Sequence, residues 1–129
     1  PAIIFNRVDL PAPLRPNNPM DPFEGKVALM FDDMISTAGS ICGAARLVKE
    51  NGAREVYVAA THGVLCGPAV ERLRDAPIDG IAVTDTIPLS AEQQLDKLTV
   101  LSVAPMLGEA IKRIHHDESI SEIFRDEGI

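Results

Sequence analysis

Residues 26–40 read KVALMFDDMISTAGS. An unbroken apolar run from Lys26 to Phe31 meets two carboxylates, Asp32 and Asp33, and then a string of hydroxyls and one glycine. A run without polar alternation predicts a strand covered on both faces, the habit of parallel sheets. From Ala38 to Glu50, the residues Ile41, Ala44, Ala45 and Val48 recur at helical spacing, and Asn51-Gly52 supplies the stop. Strand, polar turn and helix in that order make half of a parallel crossover unit.

Outward from this unit the pattern repeats. Glu55 to Ala60 (EVYVAA) predicts a second buried strand, and Gly67 to Arg74 a helix with Pro68 in its first turn. Gly80 to Thr84 predicts a third strand, Leu98 to Val103 a fourth, and Pro105 to His115 a last helix carrying Met106, Leu107, Ala110, Ile111 and Ile114. Upstream, Pro1 to Phe5 (PAIIF) reads as a short strand, and an extended first element is expected of a chain that begins mid-fold. Asp9 to Phe23 holds Pro11, Pro13, Pro16, Pro19 and Pro22 and reads as an extended loop. The order β, β, α, β, α, β, β, α predicts an α/β fold, a mostly parallel sheet of about five strands with helices on both faces.

The chain has 129 residues, 46% hydrophobic and 24% charged, with mean hydropathy +0.08, which suits one layered domain and not two cores. Twelve basic against nineteen acidic residues give a net charge of −7 and a pI near 4.8. Nucleic acid, which needs clustered positive charge, is excluded as a general partner. Aromatics are only 4% and tryptophan is absent, so the expected ligand is small and polar. Cys42 and Cys66 have no partner at metal-ligand spacing and read as two reduced thiols. No apolar run approaches the ~18 residues of a membrane span, and no basic stretch precedes one. The expectation is a cytoplasmic protein with no membrane partner.

In parallel sheets ligands bind beyond the carboxyl ends of the strands, which singles out Asp32 to Ser40, Thr61 to Gly67 and Asp85 to Leu89. The first is the richest. Open N–H groups at a helix start, with Ser36, Thr37 and Ser40 hydroxyls and close backbone approach at Gly39, form an anion cradle that a phosphate fits. Two carboxylates beside a phosphate repel it unless they face sugar hydroxyls or a Mg²⁺. The plainer reading is that Asp32-Asp33 end a strand and that Ser36 or Thr37 caps a helix. His62 either lines this site or caps its own strand, and His115-His116 sit favourably at a helix C-terminus.

The string Asp32-Asp33-Met34-Ile35-Ser36-Thr37-Ala38-Gly39-Ser40 resembles the ribose-phosphate motif of the type I phosphoribosyltransferase superfamily, and within it the ribose-phosphate pyrophosphokinases (phosphoribosyl pyrophosphate synthetases). Thr61 to Ala69 (THGVLCGPA), Thr84 to Pro88 (TDTIP), Leu101 to Leu107 (LSVAPML) and Ser119 to Phe124 (SISEIF) resemble the same family in order and spacing. The likeness runs from about Gly25 to Phe124 and matches the C-terminal half of the family's chain. It implies transfer of a diphosphoryl group from MgATP to the anomeric hydroxyl of ribose 5-phosphate, giving phosphoribosyl pyrophosphate. By that resemblance Asp32 and Asp33 hold the ribose hydroxyls and Mg²⁺, while Ser36, Thr37, Ala38, Gly39 and Ser40 hold the 5-phosphate. Ser119, Ser121 and Phe124 resemble a tail that forms a regulatory phosphate site between subunits of a homo-oligomer.

The departures point to a division of labour. The family's ATP loops and pyrophosphate loop belong to the N-terminal half, so ATP is expected only with that half. The family's catalytic Asp-Lys-Arg-Arg segment aligns with Phe5, Asn6, Arg7 and Val8, which removes the ammonium and one guanidinium and leaves Arg7 as the one candidate for catalysis. A non-catalytic, synthetase-like binding or regulatory subunit is the alternative. A phosphoribosyltransferase is a weaker one, since no base-recognising hood segment is present.

Overall fold

The apolar run at 26–31 forms the second strand of a five-stranded, wholly parallel sheet in which every strand pairs with its neighbour in sequence. The computed structural model describes residues 2–6 and 23–125. Its strands are β1 (Ala2–Asn6), β2 (Val27–Ile35), β3 (Glu55–Gly63), β4 (Gly80–Thr84) and β5 (Leu98–Leu101). Helices α1 (Gly39–Glu50), α2 (Ala69–Asp75) and α3 (Ala104–His115) follow β2, β3 and β5, with 3-10 turns at Ala91–Gln93 and Ile120–Phe124. Arg7 and residues 9–22 of the proline-rich stretch lie outside the described residues. No helix among the described residues is long and apolar enough to cross a membrane.

The core lies on one side of the sheet. Register sets Ala28 beside Val56, and Met30 beside Val58 and then Ile81, while Ala60 meets Val83, so these buried side chains share one face. Onto it pack Ile41, Cys42, Ala44, Ala45 and Val48 of α1 and Ala69 and Leu73 of α2. Gly52, at φ 93°, closes α1 in the left-handed region, where a side chain is strained.

The expectation of helices on both faces is corrected here. On the opposite face Phe31 is 41% and Tyr57 38% exposed, and Leu29, Ala59, Ala82 and Lys97 help line an open groove of about 400 Å³. The reason is topological. Right-handed crossovers between strands added in one direction place α1 and α2 on the same side, and a second layer needs a reversal of strand order that is absent among the described strands. Helix α3 does not supply that layer. None of its residues is buried; Met106, Leu107, Ile111 and Ile114 stay exposed, and Arg113 ties it to the following turn through Glu122 at 2.7 Å.

Strand β2 is also longer than its apolar run. Its ladder with β3 continues through Asp32 opposite Ala60 and Ile35 opposite Gly63, so Asp32 and Asp33 belong to the strand instead of following it. Smaller shifts occur elsewhere: β5 stops at Leu101, and α2 starts at Ala69 with Pro68 as its N-cap.

Leu73, fully buried between α2 and the sheet, and Leu107, 52% exposed on α3, form a matched pair of probes. Leu73→Ala is expected to cost about 2–5 kcal/mol, and Leu107→Ala less than about 0.5 kcal/mol, in urea unfolding. Equal losses would show α3 packed as a core helix.

Candidate functional site

The turn from β2 to α1 is built by its neighbours. The N–H groups of Val64 and Leu65 both donate to the Ile35 carbonyl at 3.0 Å, Cys66 N–H donates to the Ser36 carbonyl at 3.0 Å, and Arg72 Nη1 to the Thr37 carbonyl at 3.0 Å. Three successive carbonyls are thus held, two by the β3–α2 segment and one by Arg72 of α2. No described peptide is cis, and in a planar trans peptide the N–H points opposite to the C=O. The N–H groups of Ser36, Thr37 and Ala38 therefore face away from that segment, and none meets an acceptor among the described residues.

The helix start extends this row. Ala38, the N-cap of α1, sits at φ 60°, ψ 10° with no side-chain cap bond, and no acidic residue occupies the first turn. The first helical hydrogen bond runs from Cys42 N–H to Ala38 C=O, which leaves the preceding amides of Gly39, Ser40 and Ile41 without an intrahelical partner. Neither Ser36 nor Thr37 caps the helix. Uncapped amides at the positive end of a 12-residue helix favour an anion.

A cavity of about 180 Å³ opens there, lined by Asp32 and by the loop from Met34 through Ile41. It gathers Asp32, Ser36, Thr37, Ala38, Gly39 and Ser40. Asp33 does not line it. Asp32 shares its place in the two-residue alternation with the buried Ala28 and Met30, whereas Asp33 is exposed. Each carboxylate accepts the next backbone N–H at 2.9 Å, Asp32 from Asp33 and Asp33 from Met34. Among the described residues no three His, Cys, Asp or Glu side chains cluster as a protein-only metal site needs. A Mg²⁺ fits only as an ion shared with substrate oxygens, held by one or two carboxylates.

The other strand ends form scaffolding. His62 Nδ1 lies 2.8 Å from Thr86 Oγ1, and Thr84 Oγ1 lies 2.6 Å from the Thr61 carbonyl, so the ends of β3 and β4 are laced together. Gln93 Nε2 donates to the Val64 and Leu65 carbonyls at 3.2 and 3.1 Å, bracing the segment that holds the β2–α1 turn. Asp85 accepts Val103 N–H at 2.9 Å. Hydrogen bonds from the Ser102 hydroxyl and then from Val103 hold its carboxyl below the ordinary value of 3.8. Ser119 and Ser121 hydroxyls bond each other at 2.8 Å, and Phe124 is 70% exposed beside them, away from the cavity. Sequence reading missed Arg72 and Gln93, because a side chain that grips a distant carbonyl leaves no local pattern.

Residues 11–125 match the family model of the phosphoribosyl synthetase-associated domain. The chain belongs to that family. A ribose-phosphate pyrophosphokinase of Rhodopirellula baltica is 75% identical to this phosphoribosyl synthetase-associated domain over 105 residues, 81% of the chain and 33% of that protein. One from Corynebacterium ammoniagenes is 47% identical over 123 residues, 95% of the chain and 39% of that protein. The crystal structure of phosphoribosylpyrophosphate synthetase from Mycobacterium smegmatis superposes with a TM-score of 0.72 at 42% identity, covering 74% of this chain and 32% of that one. The chain spans about a third of the length of these relatives.

The Asp85 carboxyl gives a pH test. Its folded value lies below the unfolded one, so its stabilisation is present above about 3.8 and is lost as pH falls through the lower folded value. Wild type is expected to exceed Asp85→Ala in urea stability at pH 7, with the gap shrinking toward pH 2.

Proposed function

We propose that this chain is the ribose 5-phosphate-binding, C-terminal half of a ribose-phosphate pyrophosphokinase. The observation that carries the reading is the row of amides from Ser36 to Ser40, open among the described residues and carried by the loop that lines the cavity Asp32 borders. The 5-phosphate takes those N–H groups and the Thr37 and Ser40 hydroxyls, with the alanine and glycine at 38 and 39 letting it approach the backbone. The ribose diol reaches back over the end of β2, where Asp32 and Asp33 accept its hydroxyls and hold the Mg²⁺. The ion screens the phosphate charge from the carboxylates and ties the sugar to the diphosphoryl donor.

The relatives are named as a ribose-phosphate pyrophosphokinase and a phosphoribosylpyrophosphate synthetase, and the resemblance implies diphosphoryl transfer from ATP to the anomeric oxygen of ribose 5-phosphate, giving phosphoribosyl pyrophosphate and AMP. In this reading ATP and the charge-stabilising cations come from residues beyond this third of the relatives' length. In the sequence Arg7 is the one candidate for catalysis that this chain brings. Free Cys42 and Cys66 suit a reducing cytoplasm, and the exposed apolar stripe of α3 suits assembly as a homo-oligomer in which Ser119, Ser121 and Phe124 contribute to a regulatory phosphate site.

Calorimetric titration with ribose 5-phosphate and Mg²⁺ tests the site. Binding is expected, weakened at least tenfold by Asp32→Ala and abolished with ribose in place of its phosphate. Heat that is absent in the wild type, or indifferent to Asp32→Ala, removes the proposal. In an AMP-release assay the 129-residue chain alone is expected to be inactive; turnover would show that the catalytic cations lie within it.

A further inference from the structure

We infer that Arg72 is a positioning residue for the phosphate loop, a role that rests on the ribose 5-phosphate reading above. Its Nη1 donates to the Thr37 carbonyl at 3.0 Å, across 35 residues of chain. The same atom lies 3.3 Å from where a Cβ would stand on Gly39. The guanidinium is therefore seated between the last carbonyl of the loop and the first residue of α1.

The consequence follows from peptide planarity. Thr37 C=O and Ala38 N–H belong to one rigid trans unit, so drawing the carbonyl to Arg72 turns the amide into the cavity. Ala38 resists that placement. It holds φ 60° while 5% exposed, a left-handed conformation that L-residues with a Cβ avoid. Ile35 and Ser36 carbonyls are pinned by backbone donors of the neighbouring segment, whereas Thr37 depends on a side chain. Arg72 is thus the one anchor of this row that a substitution can remove without rerouting the backbone.

Arg72 also acts by charge. It stands on the carbonyl side, behind the amides, so it does not touch the phosphate but adds a fixed positive charge beneath it in a chain of net charge −7. A lysine supplies the charge but not the planar fork that holds a carbonyl in one direction. Gly39 is explained as well: any side chain there presses on the guanidinium.

Amide NMR of the chain and of its Arg72→Ala, Arg72→Lys and Gly39→Ala variants, each titrated with ribose 5-phosphate, tests the inference. Without ligand, Thr37, Ala38 and Gly39 should give single sharp amide signals in the wild type. These should broaden or shift in Arg72→Ala, recover in part in Arg72→Lys, and shift less in Gly39→Ala. Ribose 5-phosphate affinity should fall about tenfold in Arg72→Ala while the urea midpoint holds, a separation that a merely structural role would not give. Unchanged Ala38 signals in Arg72→Ala overturn the inference. If the wild type takes up no ribose 5-phosphate, the ribose 5-phosphate reading fails, and the ligand-free Ala38 signal still decides the role of Arg72.

Discussion

Everything functional in this fold depends on one constraint: a peptide unit cannot turn its carbonyl without turning its amide. Ile35 and Ser36 give their carbonyls to the segment between β3 and α2, and Thr37 gives its own to Arg72 of α2. Three amides in a row must then face the other way. Ordinary strand-to-helix turns scatter their amides or cap them with a nearby side chain. Here no cap is present among the described residues, the first turn of α1 has no acid, and the residues that carry the open amides line one cavity. Such donors at a helix N-terminus favour an anion.

The bracing behind the turn explains how it stays open. Leu65 is buried at φ 45°, a strained backbone kept in place by its N–H bond to Ile35 and by its carbonyl bond from Gln93. Gln93 in turn sits in a 3-10 turn closed by reciprocal bonds with Ser90. Strain of this kind persists only where the surroundings over-determine it, and it gathers at binding sites. The segment THGVLCG therefore serves the β2–α1 turn through its backbone.

How much of this the sequence disclosed can be argued residue by residue. The strand-turn-helix unit at 26–50 was legible because apolar period and turn chemistry agree there, and the predicted parallel α/β sheet of about five strands is the one observed. That β2 is covered on one face only was not. Val27 and Leu29 are as apolar as Ala28 and Met30, so composition cannot tell a covered face from an open one, and strand order decides it. Asp32 and Asp33 were read as lying past the strand because charge ends an apolar run, yet the ladder to β3 carries them inside it. Arg72 was invisible because its partner is a carbonyl, which has no letter in the sequence.

The placement of the two carboxylates bears on how charge is managed. Had both faced the cavity, two negative charges on adjacent residues would oppose any phosphate bound within a few ångströms. Of the two, Asp32 alone borders the cavity, and each carboxylate accepts one backbone N–H. The helix end of the loop presents open amides with the Arg72 guanidinium behind them, and the strand end presents a carboxylate. One carboxylate at the strand end thus leaves the amides at the helix end free to attract an anion, with the length of the loop setting the distance between attraction and repulsion.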